Sequence, residues 1–167
     1  VAMAGFGWNL LRTSASNDGN LLVSPASVHL ALAMTANGAA HTTRDQMLAL
    51  LAAGGLDMEG LNDAARAALA RWNLADAEDR LTIANSIWFD QAFTPEPAFL
   101  QTNADHYAAA ARQLDFRTPD AVDAINGWVK EATRDVIPTI LEEIPAETVM
   151  YLVNAIHFKA DWAEPFD

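Results

Sequence analysis

Few side chains in this sequence of 167 residues could form the nucleophile and histidine base of an acyl-transfer site. Acyl-transfer chemistry needs an activated serine or cysteine, with a histidine and usually a carboxylate beside it. Cysteine is absent, and no Gly-x-Ser-x-Gly motif is present. The candidate residues are three serines and four dispersed histidines: Ser24, Ser27, Ser86, His29, His41, His106 and His157. Because Ser24 is better explained as a helix cap and Ser27 as a small buried hydroxyl, a serine hydrolase is disfavoured.

Metal and nucleotide chemistry have equally little support in the sequence. There is no His-x-x-x-His pair, EF-hand loop, Gly-x-Gly-x-x-Gly motif or P-loop. We therefore expect no metal and no cofactor, and we interpret His157 as a structural hydrogen-bonding residue. Arg66 and Arg71 accompany Asp63 on one predicted helix, which is typical of a solvated face and not of a polyanion site.

The net charge and hydrophobic content of the sequence narrow the classes of partner that we expect. The net charge is −12, with 22 acidic and 10 basic residues, which disfavours nucleic acid and anionic membranes as partners. No apolar stretch approaches the roughly 18–20 residues of a membrane-spanning helix. A hydrophobic content of 51% is enough for the core of one domain. The absence of cysteine fits either redox compartment, so it does not locate the protein.

The first half of the chain is predicted to be mainly helical. A helix over residues 1–15 is followed by a turn at 16–20 and a short strand at 21–23. Ser24 caps the next helix, Pro25 is its first residue, and Gly38 supplies a left-handed C-cap. Thr43 and Gln46 have the spacing of a capping box that opens a third helix. Asp57 caps a fourth.

Strands and helices alternate in the second half. Residues 81–89 form a strand, Thr94-Pro95 opens a helix that ends near Tyr107, and residues 110–116 form a second strand. A helix with a one-sided apolar stripe begins near Val122, and residues 136–148 are irregular. Residues 149–156 are apolar except for Asn154, and we interpret them as a strand covered on both faces. A buried helix is the alternative that periodicity leaves open. The pattern is α+β.

Four segments together resemble the serpin family of protease inhibitors, in a prokaryotic-like form. They are residues 20–28 leading to Asn37-Gly38 and residues 43–47, residues 81–88, residues 125–129 with Thr133 and Ile137, and residues 152–162 with 165–167. The resemblance implies helices A–F of the serpin fold, strands 1–3 of sheet A and one strand of sheet B. On this resemblance, residues 1–167 are the N-terminal part of a single serpin domain.

The resemblance also assigns candidate functional positions. Ser24, Ser27 and Asn154 match the shutter, the region that controls opening of sheet A in serpins. Trp162 matches the tryptophan of the breach, where an inserting loop first enters the sheet. Asn126, Trp128 and Thr133 match the signature of helix F, which lies across that sheet.

The implied activity is suicide-substrate inhibition of serine or cysteine proteases. A protease cuts an exposed reactive loop, and the loop then inserts into sheet A as an extra strand. These 167 residues contain no counterpart of that loop, so we expect the chain alone to be inactive. The expected partners are a serine-type protease and the complementary C-terminal part of the serpin. A non-inhibitory carrier or scaffold is the alternative function, and the family resemblance favours an extracellular location.

Overall fold

A computed structural model describes residues 2–15, 20–52, 55–73, 80–162 and 164. In these residues there are six helices and three strands. The elements are α1 (Ala2–Ser14), α2 (Pro25–Ala36), α3 (His41–Leu51), α4 (Met58–Trp72), β1 (Arg80–Asp90), α5 (Pro97–Tyr107), β2 (Ala109–Leu114), α6 (Pro119–Ala132) and β3 (Met150–Lys159). The six predicted helices are present, and the predicted order of elements is confirmed apart from the short strand at 21–23. No helix in the described ranges is long and apolar enough to cross a membrane.

The three strands form one sheet in the order β2-β1-β3. Strand β1 pairs in parallel with β2 and antiparallel with β3. It is buried on both faces, because Ile83 and Ile87 pack toward the main core while Trp88 packs on the opposite side. The prediction of a two-sided cover for the last strand is confirmed, since Leu152 and Ile156 pack toward the main core and Tyr151 and Val153 pack on the opposite side. Strand β3 is at an edge of the described sheet and is half-buried over most of its length.

Two hydrophobic clusters lie on the two faces of the sheet. The larger one packs helices α1 to α5 against β1, with Leu30, Met34, Leu51, Ile87 and Tyr107 completely buried. The smaller one lies under α6. Its buried members are Trp88, Phe116, Ala121 and Ile125. Helix α6 therefore lies across the sheet on the face opposite the other helices, as its one-sided apolar stripe predicts.

The sequence correctly predicts two of the helix starts. Ser24 has an extended backbone, its Oγ accepts from the backbone N–H of Ser27 at 3.4 Å, and Pro25 is the first helical residue. The Oδ1 of Asp57 accepts from the N–H of Gly60 at 2.9 Å at the start of α4. Both are side-chain caps of the kind that the residue types favour.

Two other helix starts are predicted at the wrong residues. Helix α3 begins at His41 after Ala40, which makes no side-chain cap, so Thr43 lies inside the helix. Helix α5 begins at Pro97 and not at Thr94-Pro95. At α5 a second proline, Pro97, stands two residues after the expected one, and local pattern alone does not distinguish between them.

Residues 21–23 are not a strand in the structure, because no other strand of the described chain pairs with them. The side chain of Leu22 is 97% exposed. Gly38 also has no left-handed backbone. Its role is steric, since a Cβ at this position would lie 3.1 Å from Cε2 of Phe99. The predicted turn at 16–20 lies mostly outside the described residues.

Candidate functional site: the shutter and helix α6

The three predicted shutter residues come together at the junction of α2 and β3. The Ser24 cap fixes the first turn of α2 and places Ser27 on the side that faces the sheet. The hydroxyl of Ser27 donates a hydrogen bond to Oδ1 of Asn154, a residue 127 positions later in the chain. This bond joins the first turn of a core helix to the middle of the edge strand.

Asn154 continues the hydrogen-bond chain into β1. Its Nδ2 donates to Oδ1 of Asn85 at 2.7 Å, and the two residues are direct partners in the antiparallel register. Asn85 is 3% exposed, so its amide depends on protein partners. Leaving such a group unpaired costs about 1–3 kcal/mol.

Asn85 is a member of this site that sequence reasoning missed. Its Nδ2 donates to the backbone carbonyl of Tyr107 at 2.7 Å, which extends the chain to the end of α5. The signal in the sequence was weaker than at Asn154, because Asn85 shares its predicted strand with the polar residues Thr82 and Ser86. We call Ser27, Asn154, Asn85 and the carbonyl of Tyr107 the shutter chain.

Helix α6 is fixed to the sheet by an aromatic pair. The rings of Trp128 and Trp88 are 6.3 Å apart and nearly perpendicular, at 76°. The indole N–H of Trp88 donates to Ser86 Oγ at 2.7 Å, and the guanidinium of Arg112 lies 5.6 Å from the Trp88 ring. Edge-to-face pairs of this kind add about 0.5–1.5 kcal/mol beyond burial.

The other two residues of the predicted helix signature fasten the irregular segment that follows α6. Asn126 Oδ1 accepts from the N–H groups of Ile140 and Leu141 at 2.9 and 3.0 Å, and its Nδ2 donates to the Leu141 carbonyl at 2.8 Å. Thr133 is buried; its hydroxyl donates to the Val129 carbonyl at 2.8 Å and accepts from the Ile137 N–H at 3.0 Å. The segment is thus held along the helix without secondary structure of its own.

The structure does not bring the predicted breach residue into the shutter. Trp162 follows the end of β3 by three residues, and its side chain is 72% exposed. Residues 165–167, which contributed to the resemblance, lie outside the described ranges. The breach position therefore stays a prediction.

Hydrolytic chemistry gains no support from the geometry. The three candidate serines have other partners: Ser24 caps α2, Ser27 bonds Asn154, and Ser86 accepts from Trp88. His29 Nε2 lies 3.0 Å from the carbonyl of Leu51. The Nδ1 atom of His157 is buried without a hydrogen-bond partner, so the expected role of this side chain as a hydrogen-bonding residue is not seen at that atom. No group of three potential metal ligands occurs among the described residues.

Comparison with known proteins adds a family assignment to this geometry. The family model described as "Serpin (serine protease inhibitor)" matches residues 1–167. Serpin-Z2A of Oryza sativa subsp. japonica is 39% identical over 163 residues, which are 94% of this chain and 38% of the relative. Across eight curated relatives the chain spans 36–43% of their length.

Two solved structures illustrate the structural likeness. The thermophilic serpin tengpin in its latent state superposes with a TM-score of 0.93 at 40% identity, covering 99% of this chain and 45% of that one. Reactive-loop-cleaved human thyroxine-binding globulin gives a TM-score of 0.87 at 29% identity, covering 99% and 50%. The six helices and three strands described above are thus arranged as in these two proteins.

Proposed function

Because this chain belongs to the serpin family, we propose that the whole protein is a suicide-substrate inhibitor of serine or cysteine proteases. In this proposal a protease cleaves the reactive loop of the whole protein, and the loop inserts into the sheet that contains β3. The protein is the trap and not an enzyme. Its partners are a serine-type protease and, for this chain, the complementary C-terminal part of the fold.

The observation that carries the proposal is the shutter chain. Ser27 and Asn154 join α2 to β3 with a hydrogen bond, and Asn85 holds Asn154 from the other side. In the described sheet, β3 has β1 on one side and no strand on the other. An edge of this kind can accept an added strand through backbone hydrogen bonds. The hydrogen bond between Ser27 and Asn154 lies at the middle of this strand. It can control access to the edge because it must break before β3 separates from α2.

Helix α6 and its tether support the same mechanism. An inserting strand requires the sheet to widen while the helix that lies across it stays attached. The Trp88–Trp128 pair anchors α6 at one point, and Asn126 with Thr133 holds the following segment against the helix. The helix and its tether can therefore be displaced as one unit.

We further propose that residues 1–167 by themselves do not inhibit a protease. These residues contain no counterpart of the reactive loop, and protease specificity depends on that loop. The strand beside β3 that would complete the insertion site is also supplied from elsewhere. The breach position of Trp162 belongs to this proposal, as the entry point of the loop.

The test uses the whole protein and a panel of serine and cysteine proteases. Inhibition by trapping gives a protease complex that survives denaturing electrophoresis, and cleavage of the loop raises the melting temperature sharply. The chain of 167 residues is the matched control and should give no such complex. If the whole protein gives neither a complex nor a rise in melting temperature, the inhibitory proposal is wrong.

A non-inhibitory carrier or scaffold is the second candidate function. It is favoured by the likeness to thyroxine-binding globulin, whose solved structures include a complex with thyroxine. The hinge of the reactive loop discriminates the two functions. Small residues there permit insertion, whereas bulky or charged residues and proline oppose it. A ligand-binding protein without the rise in melting temperature after cleavage would support the carrier function.

A further inference from the structure

A second set of amides lies behind the shutter chain, and we call Asn37, Asn62 and Asn103 the asparagine cluster; Asn62 and Asn103 are buried, and Asn37 is half-buried. Asn62 Nδ2 donates to Asn37 Oδ1 at 2.9 Å, and Asn37 Nδ2 donates to Asn62 Oδ1 at 3.1 Å. Asn37 Nδ2 also lies 3.4 Å from Asn103 Oδ1. Asn37 follows α2, Asn62 is in α4 and Asn103 is in α5, so the cluster fastens three helices to one another.

Tyr107 connects the asparagine cluster to the shutter chain. Its hydroxyl donates to Asn62 Oδ1 at 2.7 Å, and its backbone carbonyl accepts from Asn85 Nδ2 at 2.7 Å. The residue is fully buried. Burial raises the pKa of the Tyr107 hydroxyl, with the amide of Asn37 partly opposing the shift, so the hydroxyl stays protonated and remains a donor.

The Tyr107 carbonyl is free to accept because α5 ends at this residue, where helical carbonyls lack an intrahelical donor. Ala108 has the left-handed conformation, with φ 50° and ψ 33°, which is strained for alanine. This single residue turns the chain from α5 into β2 at Ala109, the register partner of Asn85. The carbonyl is therefore held beside Asn85 by the fold itself.

The donors of the shutter chain all point in one direction. Ser27 donates to Asn154, Asn154 to Asn85, and Asn85 to Tyr107. An Asn85 amide turned by half a rotation would place its nitrogen against the nitrogen of Asn154. The carbonyl oxygen of Tyr107 opposes that rotation, because it can accept from the amide nitrogen of Asn85 but cannot pair with the amide oxygen. Hydrogen bonds arranged in such a series also strengthen one another.

We propose that Tyr107, anchored by Asn62, is a positioning residue for the shutter. It fixes the amide of Asn85 and thereby the orientation in which Asn154 accepts from Ser27. The packing of α4 against α5 then influences how readily β3 separates from α2. This inference rests on the proposed function, in which β3 borders the insertion site. It assigns to the asparagine cluster a role beyond satisfying buried polar atoms.

The first test measures how fast the whole protein incorporates a synthetic peptide with the sequence of its own reactive loop. Tyr107→Phe removes only the hydroxyl and should raise the incorporation rate about fivefold, a change of the size that coupled sites show. Tyr151→Phe makes the same chemical change on β3 and is the matched control. Leu51→Ala removes a fully buried side chain of the main core that makes no hydrogen bond of the shutter chain, and controls for loss of global stability. Both controls should stay within about twofold of the wild-type rate.

A second test does not depend on loop insertion. Ser27→Ala and Tyr107→Phe are combined in a double-mutant cycle, and the unfolding equilibrium constant is measured. Unconnected residues change this constant by factors that multiply to within about twofold. We expect the double mutant to depart from the product by about fivefold.

The outcomes separate this inference from the proposed function. If Tyr107→Phe incorporates peptide no faster than Leu51→Ala does, the positioning role is wrong. If the wild-type protein incorporates no peptide, the proposed function fails. The double-mutant cycle then tests by itself whether Ser27 and Tyr107 are coupled. If the two single-mutant changes in the unfolding constant multiply to give that of the double mutant, the coupling of Ser27 and Tyr107 is overturned. A departure of about fivefold from the product supports it.

Discussion

Asn85 and Asn154 face each other directly across the antiparallel pair β1–β3, joined by a hydrogen bond of 2.7 Å between their side-chain amides. Each amide also has a partner outside the pair, the Tyr107 carbonyl for Asn85 and the Ser27 hydroxyl for Asn154. The pair is therefore a polar crosslink between a central strand, an edge strand and two helices. Removing any member leaves an atom of its neighbour unpaired.

Asn154→Ala in the whole protein tests this crosslink. The substitution leaves Asn85 Oδ1 and the Ser27 hydroxyl without their partner, which should lower the free energy of unfolding by about 1–3 kcal/mol. Denaturant unfolding of wild type and variant measures the change. Asn9→Ala, on an exposed turn of α1, is the control and should change stability by less than about 0.5 kcal/mol. Equal stabilities for the two variants would contradict the crosslink.

Asn126→Ala should release the segment that follows α6. The asparagine makes three hydrogen bonds to the backbone of Ile140 and Leu141, so its loss should cost about 1–3 kcal/mol. Limited proteolysis of the whole protein should become faster within residues 136–148. Asp123→Ala, on an exposed position of the same helix, controls for helix propensity and should leave the cleavage rate unchanged. Unaltered cleavage in Asn126→Ala would show that the tether lies elsewhere.

The edge of β3 should make the isolated chain of 167 residues self-associate. Unpaired strand edges recruit other chains, and Phe158 at this edge is 69% exposed. Phe158→Lys should weaken association about tenfold, a part of the 1.5–3 kcal/mol that burial of a phenylalanine provides. Sedimentation measures it. Val136→Lys is the control, because Val136 is equally exposed, at 67%, but lies outside the sheet. A wild-type chain that sediments as a monomer would contradict the prediction.

Asp90 should make stability depend on pH at the acidic end. Hydrogen bonds from the N–H groups of Ala92 and, next in importance, Phe116 lower the pKa of this carboxyl below its ordinary value of 3.8. A lowered folded-state pKa means that the contribution is present above the ordinary value and is lost as pH falls through the folded one. Asp90→Asn should therefore be less stable than wild type near neutral pH, and this difference should shrink toward pH values below 3.8. Thermal unfolding across that pH range measures the difference in stability between the two proteins. A difference that does not change with pH would show that the Asp90 carboxylate is not the cause.

Local signals in the sequence were enough to predict much of the fold. Ser24-Pro25 and Asp57 specify helix starts through their own side chains and ring geometry, and both starts are confirmed. The apolar stripe of α6 predicts a helix on a surface because burial on one face is a property of the segment itself. Where two signals compete, as at Pro95 and Pro97, the tertiary contacts choose, and the sequence alone does not reveal them.

The site was predictable only in part, for the same reason. Asn154 stands out as a polar residue in an apolar strand, whereas Asn85 has polar neighbours in its strand, Thr82 and Ser86, and carries a weaker signal. Asn37, Asn62 and Asn103 carry none, because single asparagines on or beside helices are ordinary. Their contacts join residues 25 and 66 positions apart, which no local pattern encodes. The edge position of β3 likewise depends on which strands lie beside it.

The one-residue junction at Ala108 restricts how this protein can vary in length. A strand shifted by one residue turns every side chain to the opposite face. One extra residue between Tyr107 and Ala109 would either shift β2 against β1 or push the end of α5 away from Asn85. A surface loop accommodates an inserted residue without moving the elements it connects, but a junction of one residue does not. The boundary between α5 and β2 is therefore a poor place for a tag, a permuted terminus or an inserted domain.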